Sequence, residues 1–188
     1  MIVDGSERRK LDYRHPDYAD KADQWKKLMN AYRGGEAFLK DALKQHTRES
    51  LANYEKRLKA GEVFNISRVI VDTYCNFLGE IKPQRELGKL AEDEAWGIFK
   101  TDVDLKGTDY DRFWANAQKL VSALGVIGIL VDRPTVATDT KQEDLDQGIY
   151  PYYTAFSPIN ILDWEWERQE SGRWKLIYLS IPASLRET

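Results

Sequence analysis

The sequence predicts an α+β fold: a helical N-terminal region of about six helices (1–124), then a small, mostly antiparallel sheet (125–188). Three observations carry this. Apolar residues recur at 3.6-like spacing through the first two-thirds of the chain. The last third changes to short apolar runs and strict alternation. At 188 residues the chain fits one region with its own core.

The helices follow in order. Ala22, Trp25, Leu28, Met29 and Tyr32 form one stripe, stopped by Gly34-Gly35. Ala37, Phe38, Ala42 and Leu43 mark a short second helix. Leu51, Tyr54 and Leu58 mark a third, closed by Gly61. Ile66, Val69, Ile70, Thr73 and Phe77 give a stronger fourth, capped by Asn65 or Ser67 and ended by Gly79 and Pro83. Leu87, Leu90, Ala91, Ala95, Ile98 and Phe99 suggest a fifth. Thr108 and Asp111 resemble a capping pair before a sixth, whose buried face would be Phe113, Ala117, Leu120, Val121 and Leu124.

Strands follow. Val126–Val131 is an almost wholly apolar run. Thr135–Gly148 carries four acidic residues and no aromatic residue, so it is expected to be a loop. Tyr150–Phe156 is a second strand. In Leu162–Glu167, Leu162, Trp164 and Trp166 alternate with Asp163, Glu165 and Glu167, the pattern of a half-exposed strand. Ser171-Gly172 turns the chain, and Trp174–Ile181 returns as the hairpin partner. Eight of the 22 aromatic residues fall between Tyr150 and Tyr178, which suits a core, a face covered by another chain, or a stacking surface.

Composition excludes several classes. With 42% apolar and 31% charged residues the chain is neither disordered nor collagen-like. A net charge of −3 argues against a strongly basic nucleic-acid module, although residues 1–60 carry 14 basic against 10 acidic side chains. The single cysteine, Cys75, leaves no intrachain disulfide. Met1–Lys10 has no apolar signal core, and the longest apolar run, Ala123–Val131, is far shorter than a membrane span.

No catalytic, cofactor-binding or metal-ligating residue is assigned. Gly88-Lys89 is followed by Leu90, so it is no phosphate loop, and Gly125-Val-Ile-Gly128 lacks the third glycine of a dinucleotide loop. No G-x-S-x-G and no zinc-ligand pair occurs. His15 and His46 read as surface or capping histidines, and Cys75 as a small core residue. The row Asp163, Glu165, Glu167 has the spacing to bind a hard cation, but reads better as a solvated strand face. Asp132, at a strand end and followed by Arg133, reads as one half of a local ion pair rather than a catalytic acid. These residues predict no enzyme.

The ordered segments resemble the N-terminal part of phage portal proteins, in particular a group first catalogued as a domain of unknown function. The matching pieces are His15-Pro16-Asp17-Tyr18, Trp25, Gly34-Gly35-Glu36, Tyr54 with Arg57, and Phe64-Asn65-Ile66-Ser67-Arg68. Then come Phe77-Leu78-Gly79-Glu80-Ile81-Lys82-Pro83, Phe113, Leu124-Gly125 and Gly128-Ile129-Leu130-Val131-Asp132. Pro151-Tyr152, Ser157-Pro158-Ile159-Asn160-Ile161-Leu162-Asp163-Trp164 and Gly172-Arg173-Trp174 complete the series. Lys44-Gln45-His46-Thr47 departs from the family in lacking a Leu-Pro after the second helix. Portal proteins also continue well past this length, so the chain is expected to be a portal fragment, a truncated product or a portal-derived protein without stem and clip.

The resemblance implies a structural wing-and-body part of a homo-oligomeric ring, usually a dodecamer, at one capsid vertex. DNA passes through such a ring in packaging and ejection, without sequence-specific grip. The implied partners are further copies of the chain, major capsid protein or scaffold, and terminase and tail adaptor through other parts of the subunit. The implied location is the virion, and the host bacterial cytoplasm during assembly, with no membrane and no cofactor. The alternative from the residues themselves is an aromatic-rich module that binds carbohydrate or peptide around Tyr152, Trp164 and Trp174.

Overall fold

The computed structural model describes residues 13–136 and 138–182. Among them are seven α-helices and two separate two-stranded antiparallel sheets, an α+β fold with its helices mostly N-terminal. The chain divides into two compact units, Met1–Ile70 with Ser157–Thr188, and Val71–Phe156.

In the first unit, α1 (Pro16–Arg33) opens at His15, whose Nδ1 accepts the Asp17 N–H at 3.2 Å. Pro16 stands where a helix has no use for an N–H. Tyr18, Ala22 and Met29 form its buried stripe. The Tyr18 hydroxyl donates to the Ile159 carbonyl at 3.1 Å, and the His15 N–H donates to the Leu162 carbonyl at 3.0 Å. The 157–164 segment is thereby tied to the start of α1.

Helix α2 (Gly35–Ala42) follows Gly34 without a linker. Helix α3 (Leu51–Ala60) is capped by Ser50, whose hydroxyl accepts the Asn53 N–H at 3.3 Å. The Tyr54 hydroxyl donates to the Leu43 carbonyl at 2.9 Å, and Arg57 reaches both Glu49 (2.7 Å) and the Lys44 carbonyl (3.0 Å). These bonds satisfy the polar backbone of the α2–α3 loop from side chains of α3.

Strands β3 (Asp163–Arg168) and β4 (Trp174–Ser180) pair Asp163 with Ser180 and Arg168 with Trp174. A register shift after Glu165 leaves Ile177 unpaired as a bulge. The predicted alternation holds for Trp164, Glu165 and Glu167, but Asp163 is buried (2% exposed) and Trp166 lies 53% exposed.

Helix α4 (Ile66–Leu78) contains the division between the units, at Ile70 and Val71. Asn65 caps it, with Oδ1 accepting the Arg68 N–H at 3.0 Å.

In the second unit the predicted fifth helix is broken. A 3₁₀ turn (Gly88–Glu92) precedes α5 (Glu94–Phe99), because Asp93 leaves the helix and takes the Ala95 N–H at 2.8 Å. Helix α6 (Tyr110–Leu124) is capped by Asp109, whose carboxylate accepts the Arg112 N–H at 3.0 Å, and not by the Thr108–Asp111 pair. Phe113, Ala117 and Leu124 are buried as predicted, while Val121 is exposed. Strands β1 (Gly128–Asp132) and β2 (Tyr152–Phe156) pair Gly128 with Phe156 and Asp132 with Tyr152. The expected loop at 135–148 contains a further helix, α7 (Lys141–Asp146). The Thr140 hydroxyl nucleates it by accepting the Glu143 N–H at 3.2 Å. Rings of Trp96, Phe99, Tyr110, Trp114 and Tyr153 cluster around the buried Phe113, with Phe99 edge-on to Tyr153 at 5.0 Å.

Candidate functional site

The residues weighed for chemistry stand apart. His15 caps α1 and stacks on Trp164 at 4.1 Å between ring centres. His46 is exposed, its Nδ1 accepting the Arg48 N–H. Cys75 is buried, with Sγ 3.4 Å from the Ser122 hydroxyl. Asp132 accepts the Arg133 N–H at 2.8 Å, and the Tyr152 hydroxyl lies 3.4 Å from its other oxygen. The guanidinium of Arg133 goes instead to Asp144, so the local Asp132–Arg133 ion pair does not form. Asp144 also accepts the N–H and hydroxyl of Thr138, at 2.8 and 2.9 Å. The Thr138 N–H, seconded by its hydroxyl and by Arg133, holds the Asp144 carboxyl below the usual aspartate range.

The carboxylate row does not act as one group. Asp163 is buried, with Oδ1 accepting the Trp164 N–H at 3.0 Å and Oδ2 without a hydrogen-bond partner among the described residues. Glu165 and Glu167 are exposed. Among the described residues no group of three or more His, Cys, Asp or Glu side chains is placed to hold a metal ion. Among the same residues no helix is long and apolar enough to cross a membrane.

The features that need explaining are apolar surfaces. On α4 the apolar stripe that marks the helix in the sequence faces water: Ile66, Val69, Ile70 and Phe77 are 58%, 60%, 62% and 70% exposed. Only Val71, Asp72 and Cys75, on the other side of the helix, are withdrawn from solvent. Phe64, just ahead of the helix, is 89% exposed. Scattered exposed apolar residues are ordinary, whereas a contiguous stripe on one helix face is the mark of a surface that becomes covered.

Within the first unit, α2 and α3 frame an open groove of about 830 Å³. Its apolar lining is Leu39, Leu51, Tyr54, Leu58 and Val63. Its charges balance. Glu36 and Lys40 pair at 2.7 Å, which lowers the Glu36 carboxyl and raises the Lys40 ammonium, and Glu55 and Lys59 add one charge of each sign. Sequence periodicity located α2 and α3 but not this groove, because the groove depends on the angle between helices joined by a polar loop.

A third surface is the β3–β4 hairpin. Register places Trp166, Leu176 and Trp174 on one face, where they are 53%, 38% and 65% exposed. Alternation in the sequence places Trp166 on the face with Leu162 and Trp164; with only two strands in the ribbon, nothing described covers that end.

A comparison with models of protein families finds no match to the chain, and a comparison with curated proteins finds none either.

Proposed function

We propose that the chain is the N-terminal wing-and-body region of a phage portal subunit. In this reading it is a structural component of the ring at a capsid vertex through which DNA enters and leaves the head. The observation that carries the reading is the outward apolar face of α4, which marks a subunit built to be covered. Pairwise meetings between the segments that carry the resemblance support it. His15 and Tyr18 bond to Leu162 and Ile159, and Gly34 lies against Asn65. A net charge of −3 also suits a channel wall that lets DNA slide, because each phosphate contact would add salt-dependent grip.

The test is native mass and negative-stain electron microscopy of the protein expressed from its full reading frame. Closed rings of about twelve subunits are expected. A species that stays monomeric at all concentrations refutes the reading.

A second reading, a stacking surface for carbohydrate or peptide, is favoured by the exposed Trp166 and Trp174 on one hairpin face. It predicts a saturable change in tryptophan fluorescence with one of these ligands, lost in Trp166→Ala. It falls if oligosaccharide and peptide panels leave the fluorescence unchanged.

A further inference from the structure

We infer that residues 138–148 form a strap latched by Asp144, and that the strap opens as a unit while β1 and β2 stay paired. The strap cannot order itself. Its helix, α7, has 6 residues, far short of the ~12–15 at which an isolated helix begins to hold in water. Within the strap only Asp144 and Leu145 are buried, at 8% and 9% exposed. The rest faces solvent or is half-buried, so what fixes the strap is concentrated at one point of it.

That point is Asp144. Its Oδ1 accepts the N–H and hydroxyl of Thr138, at 2.8 and 2.9 Å, where the strap begins. Its Oδ2 takes the guanidinium of Arg133, directly after β1. Its own carbonyl accepts the Ile149 N–H at 2.7 Å, where the chain returns toward β2. The strap's side-chain ties to the start of α5 are long and exposed: Lys141 reaches Asp93 at 3.4 Å and Gln142 reaches Glu94 at 3.5 Å. The sheet has support that does not pass through the strap. β1 and β2 pair from Gly128–Phe156 to Asp132–Tyr152, and the Tyr153 N–H donates to the carbonyl of the fully buried Val103 at 2.6 Å. All these residues lie within the second unit.

The latch depends on charge. The ionisable groups that line a cleft with Asp144 are Arg133, Lys141, Asp139 and the Tyr150 hydroxyl; Glu143 and Asp146 share its helix, and Asp93 pairs with Lys141. Arg133 is the cation on Asp144 itself, and with the Thr138 donors it favours the ionised carboxylate. The strap is therefore shut at neutral pH, and removing the charge of Asp144 frees both ends of the loop at once. Opening uncovers Leu145 and takes away one side of that cleft, which measures about 470 Å³ and is lined otherwise by Ala95, Ile149, Tyr150 and Pro151. The strap is thus a device that exposes a small apolar surface without dismantling the sheet, whether or not the chain forms a ring.

The experiment is amide hydrogen exchange, read by mass spectrometry on the full chain at neutral pH, for wild type, Asp144→Asn, Arg133→Gln and Asp146→Asn. In wild type, peptides from 138–148 should exchange faster than those from β1 and β2. Asp144→Asn keeps the shape of the side chain and removes its charge. It should speed exchange across 138–148 at least about ten-fold, as expected for lost hydrogen bonds to a charged group, and leave β1 and β2 within about two-fold of wild type. Arg133→Gln, at a half-exposed side chain, should give the same pattern more weakly, and it decides the matter should Asp144→Asn fail to fold. Asp146→Asn, exposed on the same helix, should match wild type. The inference is overturned if strap and sheet speed up together in Arg133→Gln, which makes them one cooperative unit. Unchanged exchange of the strap in Asp144→Asn and Arg133→Gln also overturns it, as does a wild-type strap protected as strongly as the sheet. An equal effect of Asp146→Asn would replace the latch with a general effect of charge on α7.

Discussion

Gly34→Ala tests the junction that joins the first two helices to the start of the fourth. Gly34 has φ 71° and ψ −157°, a region that is essentially glycine's alone. Forcing an alanine there costs about 1–3 kcal/mol. An added Cβ would also lie 2.7 Å from Asn65 Nδ2, 3.2 Å from its Cγ and 3.3 Å from its Cβ. That amide donates to the Tyr32 carbonyl at 2.8 Å, while its Oδ1 caps α4. Displacing Asn65 therefore strains two hydrogen bonds, worth about 1 kcal/mol each. The sum is about 3–5 kcal/mol. Gly35→Ala is the control: φ is again positive, 76°, but nothing lies within 4 Å of the added Cβ, so only backbone strain remains. Urea denaturation followed by tryptophan fluorescence should put Gly34→Ala at least about 1.5 kcal/mol below Gly35→Ala, with unchanged slope. Adding Asn65→Ala to Gly34→Ala should cost less than the sum of the two singles, because the clash has then lost its partner. Equal losses for the two glycines, or strict additivity with Asn65→Ala, would refute the proposed contact.

Phe113→Ala should cost about 3–5 kcal/mol by denaturant melting, since Phe113 is 7% exposed and packs against Tyr153 at 5.5 Å; Leu120→Ala, on a half-buried turn of α6, should cost visibly less. Acid should unfold the second unit partly through Asp144. Its carboxyl is held low in the folded state, so its stabilisation is complete above the unfolded value of about 4 and is lost as pH falls through the lower folded value. Asp144→Asn should therefore flatten thermal stability against pH below about 4, and Arg133→Ala should move acid unfolding to higher pH. Phe77→Ser, on the outward face of α4, should change the stability of the unassociated chain by no more than about 0.5 kcal/mol, because the side chain is 70% exposed. A loss of about 3 kcal/mol there would mean that the face is packed in solution.

Elements with strong local signals were readable from the sequence. The Gly34-Gly35 stop, the Asn65 cap and the Phe113–Ala117–Leu124 stripe all hold because each depends on residues within a turn or two of one another. The errors were of two physical kinds. Asp93 and Thr140 are caps in polar surroundings. The first splits what periodicity read as one helix, and the second builds a helix inside an acidic stretch whose composition read as loop. The Thr140–Glu143 spacing was the available signal, and composition outweighed it. The other kind concerns which side of an element packs. Periodicity on α4 and alternation on β3 give a face but not what lies against it: the α4 stripe and Trp166 are exposed, and Asp163 is buried. The α2–α3 groove was not readable for the same reason.

The exposed stripe on α4 bears on function. A mistaken period would scatter apolar residues around the helix. On α4 the stripe is intact, and it is simply unpartnered, while Cys75 and Val71 on the opposite side do the packing. A helix apolar on two sides is built to be enclosed, and a helix that must stay exposed carries charge on its outer face instead. Between Val69 and Leu78 the outer face of α4 holds no charged residue; Asp72, the one charge in that stretch, sits on the packed side. A small-ligand module would need only a local concavity with a few aromatic side chains. It would gain nothing from a bare helix about 20 Å long by its rise per residue. A subunit of the proposed ring needs such a surface, and the outward face of α4 is one.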